Sequence, residues 1–323
     1  NVFDLVTGTG TFAFKKANGT FHLATDASAD FTADYVAISG SISSAFVGVG
    51  SLGLQLNSVD FGILLVTDDQ GTPLNPADDI SYSAISASVG SASFAGIPGL
   101  TASASNTILR INQTDNGTDS NAVLDFAGAG HNFSFAGTTL TLSMAVGDGG
   151  LLEAQTDLDL NVFDLVTGSG TFAFKKANGT FHLATDASGD FTADYVAISG
   201  SISSAFVGVG SLGMQLNSVD FGILLVTDDQ GTPVTTDDIS YSAISASVGS
   251  ASFAGIPGLT ATASNTILRI NHTDNGTDST AVLDFAGAGH NFSFAGTTLT
   301  LSMAVGDGGL LEAQTDLDLN VFD

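Results

Sequence analysis

Leu152-Glu153-Ala154-Gln155-Thr156-Asp157-Leu158-Asp159-Leu160-Asn161-Val162-Phe163-Asp164-Leu165-Val166-Thr167-Gly168-Ser169-Gly170-Thr171-Phe172-Ala173-Phe174 alternates from end to end. Even positions carry Leu152, Ala154, Leu158, Leu160, Val162, Val166, Phe172 and Phe174. Odd positions carry Glu153, Gln155, Asp157, Asp159, Asn161 and Thr167. A period of two is the signature of a strand with one apolar face. The same stretch contains Asn161-Val162-Phe163-Asp164, which also stands at 1–4 and at 320–323. The chain therefore reads as a β-repeat module at 1–160, a second at 161–319, and the start of a third at 320–323. Sustained self-similarity at this period points to a repeat architecture, and the overlap predicts a window cut from a longer array. No Pro-rich or Gly/Ser linker marks the junction, so strands are expected to run continuously across it.

The two copies differ at about nine aligned positions, among them Thr9 and Ser169, Leu54 and Met214, and Gln113 and His272. A single deletion falls where Pro73-Leu74-Asn75-Pro76-Ala77 faces Pro233-Val234-Thr235-Thr236, as expected of a surface loop.

Composition sets further bounds. Six basic residues oppose 33 acidic ones, a formal net charge of −27, and that field repels nucleic acid and anionic membranes. Glu153 and Glu312 are the only glutamates; the rest of the acid is Asp, which favours turns and avoids helix interiors. There is no cysteine and no tryptophan, which leaves neither disulfides nor thiolate metal sites to hold the fold. No apolar run approaches the roughly 18 residues of a membrane helix, so no membrane insertion is expected in this window.

Four segments share the plan of a Phe, a short turn and a further apolar residue: Phe14 to Phe21, Phe46 to Leu52, Phe94 to Leu100 and Phe135 to Leu140. Asn18-Gly19 in the first is a strong two-residue turn signal, and glycines serve the others. Longer acidic connections alternate with these at Thr25 to Asp34, Thr67 to Asp79, Gln113 to Asn121 and Val146 to Gly150. Up-and-down pairing of about eight strands per module, each roughly 10 to 15 residues, would gather the acidic loops at one edge. Small residues fill the strand centres at Ser83 to Ser93 and Thr101 to Ser105, which suits thin layers better than a wide barrel. The predicted fold is all-β without helices, an elongated tandem β-repeat array built as a β-solenoid or as a stacked meander or sandwich.

Motifs that carry chemistry are few. Gly48-Val49-Gly50-Ser51-Leu52-Gly53 spells a dinucleotide-binding pattern, but it joins two strand patterns and opens no helix, so it reads as a hairpin turn. The Asp clusters supply oxygens on loops, as Ca²⁺ requires. Asp68, Asp69, Asp78, Asp79, Asp115 and Asp119, with Asp228, Asp229, Asp237 and Asp238, form the candidate calcium set. The competing reading is that they cap turns and keep the loops solvated. No other cofactor is implied. Asn18, Asn112, Asn116, Asn132, Asn178, Asn271, Asn275 and Asn291 each begin Asn-x-Ser/Thr and are candidate glycan acceptors in a secreted chain. The five histidines show no zinc spacing. Arg110 and Arg269 suit a local ion pair, and nothing separates a general acid from a general base. No catalytic residue is assigned and no enzyme is expected.

The phrases Gly10 to Lys16, Ala95 to Thr101, and Leu124-Asp125-Phe126 followed by Phe135 to Leu142 resemble the giant tandem-repeat surface and filament proteins inferred from environmental bacteria. The resemblance implies an elongated, secreted, β-rich architecture without known catalysis, and it transfers no functional residue. The sequence thus points to a structural repeat of an extracellular filament, stalk or adhesin shaft, with neighbouring repeats or identical chains as partners. A calcium-dependent tandem adhesion or carbohydrate-binding module is the alternative; a polysaccharide lyase on a β-helix would want more basic residues than are present.

Overall fold

The computed structural model describes residues 5–117, 119, 121–126, 132–135, 138–142, 150–232, 234–285, 291–293, 298–301, 303 and 309–321. All regular structure among them is β. The first repeat contributes β1 (Val6–Leu23), β2 (Asp26–Val49), β3 (Leu52–Asp68), β4 (Ile80–Ala95), β5 (Leu100–Thr114), β6 (Asn132–Phe135), β7 (Thr138–Thr141) and β8 (Leu151–Val162). The second contributes β9 (Val166–Leu183), β10 (Asp186–Val209), β11 (Leu212–Asp228), β12 (Ile239–Ala254), β13 (Leu259–Thr273), β14 (Asn291–Ser293), β15 (Thr298–Thr300) and β16 (Leu310–Val321).

Twelve strands form one antiparallel sheet in the order β1-β2-β3-β4-β5-β8-β9-β10-β11-β12-β13-β16. It is an open meander with β1 and β16 at its edges, so the architecture is up-and-down pairing and not the coils of a solenoid. The hairpins β6-β7 and β14-β15 form separate two-stranded sheets. Two compact units are present: Asn1–Ser93 with Ser105–Ala154 and Lys176–Asn178, and Phe94–Ala104 with Gln155–Lys175 and Gly179–Asp323.

The core of the first unit sits at one end of the strands. Phe21, Ala33, Tyr35, Ala37, Leu64, Val66, Tyr82 and Ala84 line one face, and Leu124, Phe126 and Leu142 close over them. The cover is tied down by backbone bonds from Ala24 N to Val123 O and from Asp125 N to His22 O, both 2.9 Å. Phe21 meets Tyr35 edge-on at 5.7 Å between ring centres, a favoured aromatic geometry. The second unit repeats the arrangement with Phe181, Tyr195, Leu224, Tyr241, Leu283, Phe285 and Leu301, all buried. Small residues such as Ala37 and Ala84 let the cover approach the sheet closely, and each fully buried Leu or Phe stabilises the fold by about 1.5–3 kcal/mol. Toward the other end Phe12, Phe14, Val47 and Val49 stay exposed.

Three expectations about strand boundaries are corrected. Asn18-Gly19 makes no turn: β1 runs straight through, pairing Asn18 with Asp34 and Gly19 with Ala33. An added Cβ there would stand 3.0 Å from the Tyr35 ring, so the glycine lets the aromatic seat closely. The acidic stretch from Thr25 to Asp34 is no long loop. Ala24-Thr25 connects β1 to β2, and the register jumps from His22↔Asp30 to Leu23↔Asp26, placing the extra residues in a bulge.

The repeat junction, thirdly, is a turn and not a strand interior. Phe163 and Asp164 take positive φ of 53° and 56°, the two-residue geometry that matches strand twist. Asn161 Oδ1 accepts from Asp164 N–H at 2.9 Å, Asn161 Nδ2 donates to Asp164 Oδ1 at 2.7 Å, and Leu165 N–H donates to Val162 O at 2.9 Å. The absence of a linker holds, because β8 and β9 are adjacent in the same sheet.

The glycine-rich connections turn as read from sequence. Gly50-Ser51 joins β2 to β3 with Gly50 at φ 61°, and the Phe94–Leu100 turn has Gly96 and Gly99 at φ 102° and 82°. One feature has no counterpart in the sequence reading. Ser58 and Asn106 adopt φ of 53° and 51° inside β3 and β5, as do Ser218 and Asn265 at 52° inside β11 and β13. In the second repeat, Ser203, Ser218, Gly249 and Asn265 fall at one level, where the ladder steps from Val219↔Val248 to Asn217↔Ser250 and from Val248↔Thr266 to Ser250↔Ser264. At that level Ser218 and Asn265, on alternate strands, are left-handed.

Candidate functional site

The β3–β4 loop and the connection that follows β5 lie at the same end of the strands. In the β3–β4 loop Asp68 Oδ1 accepts from Gln70 N–H at 3.0 Å, and its other oxygen accepts from the Gln70 side chain. Asp69 Oδ1 accepts from Gly71 N–H at 3.0 Å. Thr72 Oγ1 donates to both oxygens of Asp78 at 2.8 Å, stapling the loop across its base. From the neighbouring connection Asp115 Oδ1 accepts from Ser81 N–H at 2.6 Å, and Asp119 Oδ1 from Asn121 N–H at 2.9 Å.

The second repeat places Asp228, Asp229 and Asp237 on Gln230, Gly231 and Thr232 in the same way, and Asp274 takes the Ser240 N–H at 2.7 Å. Asp238 follows Asp237 at the foot of that loop. These are local side-chain-to-backbone bonds of the kind that fix turns. Among the described residues no three His, Cys, Asp or Glu side chains converge as metal ligands.

Electrostatics follow from this crowding. Burial first, and then the carboxylates of Asp68 and Asp115, push the Tyr82 phenol up to about 12. Tyr241 is raised by the same causes, burial first and then Asp228 and Asp274. The hydroxyl and N–H of Thr280 hold the Asp278 carboxyl below its usual range. A cleft of about 550 Å³ opens beside the β3–β4 loop, bordered by Lys16, Asn18, Asp34, Thr67, Asp69, Pro73 and Asp79. It offers one ammonium among several carboxylates, with Asn18 Nδ2 donating to Asp34 Oδ1 at 3.2 Å.

The Asn-x-Ser/Thr positions separate into different environments. Asn112 and Asn271 are buried, and each Nδ2 donates at 2.8 Å to a cover-strand carbonyl, Leu124 O and Leu283 O. Those two amides therefore clamp the cover, and a glycan has no room on them in the folded sheet. Asn18, Asn116, Asn178 and Asn275 are at least partly exposed, and Asn275 Oδ1 accepts from Thr277 N–H at 3.1 Å. The side chains of Asn132 and Asn291 lie outside the described residues, as do His131, His290 and the Val146–Gly149 connection.

Both arginines sit against the two glutamates, as ion pairs. Arg110 Nη1 stands 4.0 Å from Glu153 Oε1, whose side chain is 2% exposed, and Arg269 Nη1 donates to Glu312 Oε2 at 2.8 Å with the glutamate 44% exposed. His22 and His182 pair with Asp30 and Asp190, each at 2.6 Å. The sequence reading missed the Asn112 and Asn271 clamps; their signal was an Asn alternating with Arg110 or Arg269 on the core face of an apolar strand. No protein-family model matches the chain, and no curated protein matches its sequence.

Proposed function

We propose that this chain is a structural repeat of an extracellular filament, stalk or adhesin shaft, its work done by the sheet and not by a reactive site. One observation carries the reading. The two repeats are joined through Phe163-Asp164 as one hairpin of a common open meander, so adding a repeat adds six strands to the same sheet without a linker. Architectures of this kind gain stability from each interface between neighbours. The Asp-capped loops keep one end of the strands charged and solvated, which fits a surface-displayed protein, and the partners are further copies of the same sheet.

Chains of two, four and six repeats, compared by electron microscopy, test this. At about 4.8 Å per strand each repeat should lengthen the particle by about 29 Å. Particles that grow in all directions, or separate into beads, would rule the reading out.

A further inference from the structure

One face of the sheet is apolar and uncovered. In the second unit it lies on β10 to β13, each hydrogen-bonded to a neighbour on both flanks, so it owes nothing to a free edge. β11 carries Ile223, Phe221, Val219, Leu216, Met214 and Leu212, and the ladder sets an apolar residue or glycine of β10 opposite every one of them. Ile244, Ala246, Val248, Ala251 and Phe253 of β12 stand opposite the first five. None of the six β11 residues is buried, and Met214, Val207 and Val209 are 51%, 56% and 69% exposed. In the first unit Val47, Val49 and Leu54 are exposed in the same way.

Plain alternation would not hold these residues on one face. Val219 and Leu216 are three apart, as are Ile202 and Ala205, and a strict period of two sends the members of each pair to opposite sides. At the level of Ser203, Ser218, Gly249 and Asn265 the strands carry an extra residue. β13 gains one on β16 there, and β10 to β12 keep register with β13. An insertion of this kind shifts the phase, so the apolar face continues to the hairpin tip. The other face stays polar on both sides of the step, with Asp220 and Ser247 on one and Gln215, Asn217 and Ser250 on the other; Asn217 Nδ2 donates to Ser250 Oγ at 3.2 Å.

We propose that this apolar face packs against the same face of a second copy of this chain, as two sheets about 10 Å apart. The area suffices. From Leu212 to Leu225, four strands cover about 19 Å by 43 Å, roughly 800 Å², which is about what each partner contributes to a specific interface. Soluble monomers rarely leave so large an apolar patch in water. Charge permits the contact, because the band holds no ionisable side chain although the chain carries −27. A lipid bilayer fits less well. Sheets that face lipid are flanked by girdles of tyrosine and tryptophan, whereas this chain has no tryptophan and buries all four tyrosines in the cores under the covers. Because one patch meets its own copy, the contact closes as a pair. It rests on the structural reading above and gives that reading a surface and a partner.

Met214→Lys and Ser247→Lys change the charge equally on opposite faces of the full chain. Sedimentation velocity over a concentration series should show the parent and Ser247→Lys forming dimers of equal strength, and Met214→Lys weakened at least tenfold with its far-ultraviolet sheet spectrum kept. Should Met214→Lys fail to fold, Val207→Trp still decides. Its indole should become shielded from acrylamide as the dimer forms without lipid, while that of Ser247→Trp stays open.

A parent that is monomeric at every concentration and salt, or equal weakening by the two lysines, overturns the proposal. So does a Val207→Trp indole shielded only on adding phosphatidylcholine vesicles and quenched by brominated acyl chains, since the occupant is then lipid. Particles that lengthen with repeat number yet stay one sheet thick would leave the structural reading standing and remove the face-to-face pair.

Discussion

At the scale of single residues, the acidic end of the sheet is held by groups whose chemistry can be titrated and deleted. Tyr82 is buried with Asp68 and Asp115 nearby, and its proton is held to about pH 12. A phenol whose folded pKa lies above its unfolded value contributes stability that is fully present below about pH 10 and is lost as pH rises toward the folded value. The 323-residue chain should therefore lose thermal stability above about pH 10. Tyrosinate absorbance at alkaline pH should show late ionisation of Tyr82 and Tyr241; a Tyr82→Phe, Tyr241→Phe double variant that leaves the late phase in place would contradict the burial argument. Asn112 is a second lever. Asn112→Ala leaves the Leu124 carbonyl unpaired beneath the cover, an expected loss of about 1–3 kcal/mol. Leu124→Ala should cost about 2–5 kcal/mol through the cavity it opens. Hydrogen exchange reads both, since the Ala24 and Asp125 amides bonded to the cover should lose protection before the ladder between β2 and β3 does. Exchange that rises uniformly would argue against a separately releasable cover.

At the scale of elements, the turns explain what the sequence could and could not reveal. The Gly48 to Gly53 connection was legible because its glycines serve geometry directly. A Cβ on Gly48 would stand 2.2 Å from Leu52 O, and one on Gly53 2.4 Å from Val47 O, with the Phe46 ring lying over both. Gly48→Val should thus lower the midpoint of thermal unfolding by the equivalent of about 1–3 kcal/mol. Gly50→Asn, at a positive φ that Asn tolerates with open space beside its Cα, should change it by well under half as much; equal losses would show the hairpin is not close-packed. Asn18-Gly19 misled for a related reason, since a glycine seated under the Tyr35 ring has the same letters as one in a turn. The junction at Phe163-Asp164 was hidden because a Phe at positive φ defies local preference, and only its cross-strand setting, with Phe163 N–H donating to Gly99 O at 2.6 Å, holds it there. The left-handed residues Ser58 and Asn106 were invisible because each stands inside an unbroken strand pattern. Of the acidic segments, the one bearing Asp68 to Asp79 forms the connection between β3 and β4. Which carboxylates would meet which amides depended on pairing between strands, which composition does not encode.

For the whole molecule, a charge of −27 carried on few cations sets the response to salt. Like charges separated by more than the screening length, about 10 Å at 0.1 M, cease to oppose one another. The melting temperature should rise as sodium chloride is raised from about 0.01 M to about 0.15 M. A flat or falling curve would mean that the ion pairs of Arg110 and Arg269 outweigh the diffuse repulsion. The open meander has a further, mechanical consequence. With β1 and β16 on opposite edges, tension applied through them acts across the strands and not along them, so the hydrogen bonds are loaded one after another like the teeth of a zip. Each strand that peels gives up about 4.8 Å of sheet width and releases chain at roughly 3.3–3.6 Å per residue. β3 alone, with 17 residues, would supply about 55–60 Å of slack. A sheet loaded in this way should yield at low force and lengthen many-fold before its backbone is stressed, storing reserve length in the same ladder that gives it its resting form.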